Sequence, residues 1–99
     1  MTAAEHTVTY KVQTTYAGIA EGGLKLTARY ISDDATDPIE MSEEIDDSAI
    51  TQRSDDTDWT QTLAVTFTPD IAGWVDFKME LMKYESGNEV YVWPTPVIS

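Results

Sequence analysis

The 99-residue chain contains no cysteine, which excludes disulfide bonds, zinc–thiolate sites, iron–sulfur clusters and thiol nucleophiles. Basic residues are scarce too: six lysines and arginines face eighteen acids, for a net charge of −12. Nucleic acids and anionic membrane surfaces are therefore not expected as partners, because both select for a basic footprint. No apolar run approaches the ~18 residues of a membrane span, and residues 1–7 lack a signal-peptide pattern.

Length and composition predict one folded domain over residues 1–99. The chain is 41% hydrophobic and 24% charged, which is ordinary for a globular domain and too apolar for a disordered one. Ninety-nine residues leave room for a single hydrophobic core.

Alternation of apolar and polar residues is the dominant local pattern, and it is typical of half-buried β-strands. The fourteen threonines agree with this, since β-branched side chains pack well on a pleated surface. No stretch shows a convincing helical period of 3.6 residues. The predicted strands are residues 6–14, 23–31, 59–69, 73–84 and 89–93.

The tetrapeptide Glu85-Ser86-Gly87-Asn88 predicts a four-residue hairpin loop between the last two of these strands. A loop of even length keeps the apolar residues of both strands on one face. The expected cross-strand pairs are Met82 with Tyr91, Leu81 with Val92, and Glu80 with Trp93. Two prolines at positions 94 and 96 cannot donate to a ladder, so we expect the last strand to end near Trp93.

Residues 32–58 differ from the rest of the chain. They hold eleven acids and one base, whereas the other 72 residues have a net charge of only −2. We expect two short strands here, over residues 38–42 and 49–53, with a helix over residues 41–47 as the alternative. The residues of this segment suited to burial are Ile39, Met41, Ile45 and Ile50.

About seven strands, separated by turn signals every ~8–12 residues, predict an all-β fold, an antiparallel β-sandwich. Two facing sheets would enclose a core ~10 Å thick. The predicted core is Val8, Tyr10, Val12, Leu24, Leu26, Ala28, Tyr30, Leu63, Val65, Phe67, Val75, Phe77, Met79, Leu81, Val90 and Val92.

The segment VTFTPDIAGWVDFKMEL, followed by YESGNEVYVWPTPVI, resembles the E–F–G region of immunoglobulin-like β-sandwiches. Filamin-type repeats and bacterial Ig-like domains carry a similar Thr-Pro corner, a glycine and an alternating strand opened by an aromatic residue. Here Thr68-Pro69, Gly73 and Trp74 hold those places. The resemblance covers residues 59–98 and implies an Ig-like sandwich that serves as a structural or binding module. It implies no active site.

Catalysis is not expected. The one histidine, His6, lies near the N-terminus, and nothing around it in the sequence predicts the pocket and third group that a Ser-His-Asp device requires. The clustered acids of residues 32–58 supply carboxylates, but a glycosidase pair also needs a substrate cleft. We therefore expect a protein that is not an enzyme.

The acids form three short clusters that are candidates for a calcium site. Ca²⁺ is bound by six to eight hard oxygens, often from loops, and repulsion among carboxylates favours a cation. No EF-hand pattern is present, so solvated charge and adaptation to high salt remain the alternatives. One of the three clusters comprises Glu43, Glu44, Asp46 and Asp47, and the candidate ligands belong to the other two. The candidate Ca²⁺ ligands are Asp33, Asp34, Asp37, Asp55, Asp56 and Asp58.

Outward-facing aromatic residues give a second candidate site. Strand parity and the predicted hairpin register place them on neighbouring strands as an apolar patch, which is typical of a partner or ligand surface. A protein partner or a second copy, a carbohydrate, and cover by another part of this chain are the alternatives. The candidate partner-binding residues are Trp74, Glu80, Met82, Tyr84, Tyr91 and Trp93, while Trp59 is expected to pack at the core or the sheet edge.

These patterns together predict a non-enzymatic structural or interaction module of a larger assembly. By elimination, a virion component such as a head-decoration or tail protein is the leading hypothesis. The alternative is a cation-dependent or carbohydrate-binding module of a cell-surface or secreted protein. Either hypothesis favours a virion or an extracellular location over the cytoplasm.

Overall fold

A computed structural model describes residues 1–31, 41–83 and 85–99. These residues contain no helix and form two antiparallel sheets that face each other, which confirms the all-β sandwich. The strands are β1 (His6–Thr14), β2 (Leu24–Ile31), β3 (Met41–Asp46), β4 (Gln61–Phe67), β5 (Val75–Leu81), β6 (Val90–Val92) and β7 (Val97–Ile98).

Each sheet is built on one long central strand. In the first sheet, β1 lies between β4 on one side and both β6 and β7 on the other. β6 pairs with Val12–Thr14, and β7 pairs with Val8 and Thr9. In the second sheet, β2 lies between β3 and β5. The connections from β1 to β2 and from β4 to β5 therefore each pass from one sheet to the other.

The core lies between the sheets and follows the alternation of the sequence. Phe67 links the two layers, since its ring lies 5.4 Å from Tyr30 and 5.9 Å from Phe77. Most predicted core residues are buried or partly buried, but Leu81 was predicted wrongly and is 41% exposed. Leu81 is the last residue of β5, an outer strand, so little of the facing sheet covers it. The buried hydrophobic residues are Val8, Val12, Ile19, Leu24, Leu26, Ala28, Tyr30, Ile50, Leu63, Val65 and Phe67.

The predicted hairpin between β5 and β6 is wrong, because the two strands lie in different sheets. Leu81 pairs with Leu24, and Val92 pairs with Val12. The turn itself is present, with Gly87 at a φ of 85° and a hydrogen bond from the Asn88 N–H to the Glu85 carbonyl.

The Asn88 side chain attaches the end of this turn to the first sheet. Its side-chain oxygen accepts hydrogen bonds from the Thr14 and Thr15 hydroxyls at 2.9 and 2.8 Å, and from the Tyr16 N–H at 3.2 Å. Its amide group donates to the Ala17 carbonyl at 3.0 Å. Turn chemistry predicts the reversal of the chain, and this buried amide ties the end of the turn to β1, the strand that β6 joins.

The acidic segment also departs from expectation. A strand, β3, occupies residues 41–46, so the helix alternative is wrong, and the strand expected over residues 49–53 is reduced to a single bridge between Ile19 and Ile50. Ile50 is buried, as predicted, whereas Ile45 is 52% exposed because it lies on the outer face of an edge strand. The part of the other expected strand that covers residues 38–40, Ile39 included, lies outside the described residues.

The C-terminus adds a strand that the two prolines did not predict. β6 ends at Val92, close to the expected boundary, but β7 resumes pairing with β1 at Val97 and Ile98. Ser99 extends the contact, since it exchanges backbone hydrogen bonds of 2.9 and 3.0 Å with Thr7. Residues 94–96 bridge the gap between the two short strands, where no ladder bond is required of the prolines.

Candidate functional site

Five side chains on the outer face of the first sheet form a cluster that we call the aromatic platform: Lys11, Arg53, Trp59, Tyr91 and Trp93. Strand pairing explains the cluster, because the Trp93 N–H donates to the Lys11 carbonyl at 2.9 Å and Tyr91 lies opposite Gln13. The loop before β4 contributes Arg53 and Trp59.

The rings of the platform contact one another and two cations. Trp59 and Trp93 meet edge to face, with centroids 5.2 Å apart and ring planes at 75°. The Lys11 ammonium lies 5.8 Å from the Trp93 ring centre, and the Arg53 guanidinium lies 5.7 Å from that of Tyr91. Both distances are within the range of cation–π attraction.

Gln13 fixes the loop that carries Arg53. Its side chain is only 1% exposed, and its amide group donates to the backbone carbonyls of Asp58 and Asp56 at 3.1 and 3.4 Å. Its side-chain oxygen accepts a hydrogen bond from the Arg53 guanidinium. A buried glutamine whose donors and acceptor are all engaged holds the loop, and with it Arg53, in one position.

The platform is richer in positive charge than the rest of the molecule. Two of the six bases of the chain lie within it, while the molecule as a whole has a net charge of −12. Tyr91 donates a hydrogen bond to Glu89, and this bond raises the pKa of the Tyr91 phenol, which stays neutral at physiological pH. Trp93 and Tyr91 remain 42% and 43% exposed, so large amphipathic side chains and cations face the solvent side by side.

The cations of the platform reduce the ring area that could stack on a sugar. Sugar stacking requires an open ring face, and a cation lies over one face of Trp93 and one face of Tyr91. Trp, Tyr and Arg are also the residue types that dominate the binding energy of protein interfaces.

The structure separates the predicted aromatic patch into two regions. Tyr91 and Trp93 lie on the first sheet, whereas Trp74, Glu80 and Met82 lie in or beside β5 on the second sheet. The outward orientation of Trp74 and Met82 agrees with the prediction, since they are 91% and 51% exposed. The predicted contacts of Met82 with Tyr91 and Trp93, and of Glu80 with Trp93, are wrong because they rested on the β5–β6 hairpin. Tyr84 lies outside the described residues.

The acids of the loop before β4 are engaged in local turns. Asp55 accepts hydrogen bonds from the Thr57 hydroxyl and N–H at 2.5 and 2.8 Å, and the same bonds lower its pKa. Asp58 accepts bonds from the Thr60 hydroxyl and from the Ser54 N–H, and these hold the pKa of Asp58 down to about 2. These bonds shape the loop that supports the aromatic platform.

Only half of the candidate calcium ligands lie in the described part of the chain. Of the six candidate ligands, Asp55, Asp56 and Asp58 are described, and among the described residues no three His, Asp or Glu side chains converge on a point. Asp33, Asp34 and Asp37 lie outside the described residues.

Asp46 of the remaining acidic cluster joins the two sheets. One of its carboxylate oxygens accepts a hydrogen bond from the Ala64 N–H of β4 at 2.8 Å, and the other accepts bonds from the Ser48 hydroxyl and N–H. Burial alone would raise the pKa of Asp46, but the bonds from Ser48 and Ala64 outweigh it and lower the pKa.

His6 has local partners. Its Nε2 lies 2.9 Å from the Thr2 carbonyl and 3.3 Å from the Thr2 hydroxyl, and its ring lies 6.0 Å from that of Phe67. These contacts fasten the N-terminal residues to the start of β1, which is a structural role.

No protein-family model, no curated protein and no solved structure matches this chain. The part of the chain that the structure describes contains no helix long and apolar enough to cross a membrane.

Only the aromatic half of the platform could be predicted from the sequence. Tyr91 and Trp93 were predicted, and Trp59 was expected to pack rather than to take part in a site. Lys11 and Gln13 were missed as site residues, although their parity in β1 places them on one outer face. Only the pairing of β6 with β1, which local sequence does not reveal, brings that face to Tyr91 and Trp93.

Proposed function

We propose that this protein is a non-enzymatic interaction module of a larger assembly, and that it docks on a protein partner through the aromatic platform. The observation that carries the proposal is the pair of exposed rings, Trp93 and Tyr91, each beside a cation on the outer face of the first sheet. Strand placement keeps the loss of side-chain entropy on binding small, since the rings are already ordered by their neighbours.

The chemistry of the platform suits a partner surface with an apolar centre and carboxylates around it. The indole of Trp93 supplies apolar area, while Lys11 and Arg53 offer charge-assisted bonds at its margin. Elsewhere the chain is strongly acidic, and its net charge of −12 opposes nonspecific association with other acidic surfaces. Selection of the correct partner would therefore rest on this one face.

The assembly that we favour is a virion, with the chain as a head-decoration or tail component. Electron microscopy of particles that lack the chain tests this context. We expect an altered surface or impaired assembly, and unchanged particles would contradict the virion hypothesis while leaving the docking surface to be tested separately.

Affinity capture tests the docking surface. The immobilised protein is exposed to particle or cell proteins of its source, and a captured protein is then purified and its binding measured by calorimetry. Trp93→Ser and Arg53→Glu should each weaken that binding at least ~10-fold, because interface tryptophans and arginines commonly contribute ~2 kcal/mol or more. The matched control is Trp74→Ser, which removes an even more exposed tryptophan outside the platform.

Two results would contradict the proposal. The first is binding that Trp93→Ser leaves unchanged. The second is specific retention on a glycan array that Trp93→Ser abolishes, which would make the face a carbohydrate site.

A further inference from the structure

Among the described residues, the two sheets have four edges, and three of these carry features that oppose pairing with another chain. β3 presents Glu43 and Glu44 to solvent. At β4, the Ala64 N–H is occupied by the Asp46 carboxylate at 2.8 Å. The edge formed by β6 and β7 is divided into strands of three and two residues. Acidic side chains, covered backbone groups and short strands are the usual protection of sheet edges.

Among the described residues, β5 itself lacks such protection, although Gly73, two residues before it, exchanges backbone hydrogen bonds of 2.8 and 3.0 Å with Met1. It is seven residues long, contains neither proline nor glycine, and pairs only with β2 among the described residues. The Met82 N–H, just past the strand, donates to the Gly23 carbonyl of the neighbouring chain segment at 2.6 Å. Because backbone direction alternates along an antiparallel strand, the N–H and C=O groups of Phe77 and Met79 point to the open edge.

We propose that this open edge of β5 pairs antiparallel with β5 of a second copy of the chain, about a two-fold axis at Phe77. The outer face of β5 bears Asp76, Lys78 and Glu80, a pattern of negative, positive and negative charge. When the two-fold axis passes at Phe77, Asp76 of each copy lies opposite Lys78 of the other. The symmetry therefore gives two such pairs of unlike charge. Pairing about Lys78 would instead oppose lysine to lysine and aspartate to glutamate, which is unfavourable.

Side chains at both ends of β5 fit this arrangement. Trp74 is 91% exposed and would lie beside Glu80 of the second copy, across the new strand pair. At the other end Met82 and Lys83 both donate to the Gly23 carbonyl, which bends the chain away from a straight strand. Pairing about Met79 would extend into this bend, so the axis at Phe77 is preferred.

Light scattering and sedimentation test the pairing, over about 10 µM to about 1 mM, since an interface of one strand pair is small and weak. We expect a concentration-dependent dimer. Lys78→Glu places like charges opposite each other twice, so the dissociation constant should rise at least ~10-fold. The matched control is Lys25→Glu, the same charge change on the central strand of the same sheet face, which should leave the dimer intact.

A charge swap identifies the register. In the double variant Asp76→Lys with Lys78→Glu, pairing about Phe77 again opposes unlike charges, so the dimer should return. Thermal unfolding of each variant verifies the fold, because Asp76 also contacts Arg29 of β2 at 3.4 Å. Failure of the swap to restore a dimer that Lys78→Glu has dissociated would overturn the proposed axis.

The absence of cysteine provides a second assay that tolerates modest destabilisation. Mixing the Asp76→Cys and Lys78→Cys proteins under oxidising conditions should give disulfide-linked heterodimers in excess over homodimers, because directly opposed residues lie within disulfide reach. A wild type that is monomeric at ~1 mM, or equal effects of Lys78→Glu and Lys25→Glu, would overturn the proposal.

This surface is separate from the aromatic platform, and the two are tested independently. Trp93→Ser lies on the first sheet and should leave the dimer unchanged, while Lys78→Glu should leave partner binding at the platform unchanged.

Discussion

β4 and β5 carry the same alternating pattern but are buried to different extents. Facing the core, β4 presents Leu63, Val65 and Phe67, all at most 3% exposed. On β5, Phe77 and its core-facing neighbours are only partly buried, and Leu81 is 41% exposed. The alternation of a strand therefore identifies its inner face, but its neighbours decide how completely that face is covered.

The cause lies in how the sandwich closes at its two sides. Beside β4, the Asp46 carboxylate bridges the sheets by accepting the Ala64 N–H. Beside β5, the facing edge belongs to β6 and β7, which are short and separated by residues 94–96. One side of the sandwich is bridged by Asp46, and on the other side β5 pairs only with β2 among the residues that the structure describes.

The largest expected effect comes from matched leucine truncations on the two strands. Leu63→Ala creates a cavity in the closed side and should lower the free energy of unfolding by ~3 kcal/mol. Leu81→Ala, on the open side, should lower it by less than ~1 kcal/mol, since the side chain already contacts water. Urea unfolding below ~10 µM keeps association from contributing. Similar losses for both variants would remove the distinction between the two sides.

Removal of the Asn88 side chain tests whether its hydrogen bonds hold β6 and β7 in the first sheet. Asn88→Ala leaves buried partners around Thr14 and Ala17 without their hydrogen bonds, so stability should fall by ~2 kcal/mol. Ser86→Ala in the same turn is the control, because its exposed side chain can be truncated while its backbone carbonyl still accepts from the Tyr16 hydroxyl. A two-dimensional NMR spectrum would report whether β6 stays on β1, and equal stability of both variants would contradict this role.

The smallest expected effect concerns acid and the loop that supports the platform. The pKa of Asp58 is about 2 in the folded protein, below the ~3.9 of an unfolded chain. The folded state therefore binds fewer protons, so this stabilisation is complete above about pH 4 and is lost as the pH falls through about 2. Asp58→Asn should flatten the decline of the urea midpoint between pH 4 and 2, whereas Asp56→Asn should not. The same slope in both variants would contradict the assignment.

Much of the fold could be predicted because strand parity is a local property. The inner faces of β1, β2 and β4 follow from two-residue periodicity alone. Pairing is not local: the Glu85–Asn88 turn reverses the chain equally well whether β6 joins β5 or β1. The pairing observed is accompanied by a bond from Thr14 of β1 to the buried Asn88 amide oxygen, more than seventy residues away.

The same limit applies to the candidate site. Trp93 and Tyr91 were identifiable as outward aromatic residues, but Lys11 and Arg53 became part of the site only through pairing with β1 and through Gln13. A buried glutamine in an alternating strand has no local signature, because its parity is that of a solvent-facing residue. The structure assigns it a partner, the loop that carries Arg53.

Amide hydrogen exchange along β5, measured by NMR at low and high protein concentration, tests the open strand edge most directly. At low concentration we predict alternation, with slow exchange at Asp76, Lys78 and Glu80, whose N–H groups face β2, and fast exchange at Phe77 and Met79. At high concentration Phe77 and Met79 should become protected in the wild type but not in Lys78→Glu. Uniform protection along β5 at low concentration, or no gain at high concentration, would contradict the account.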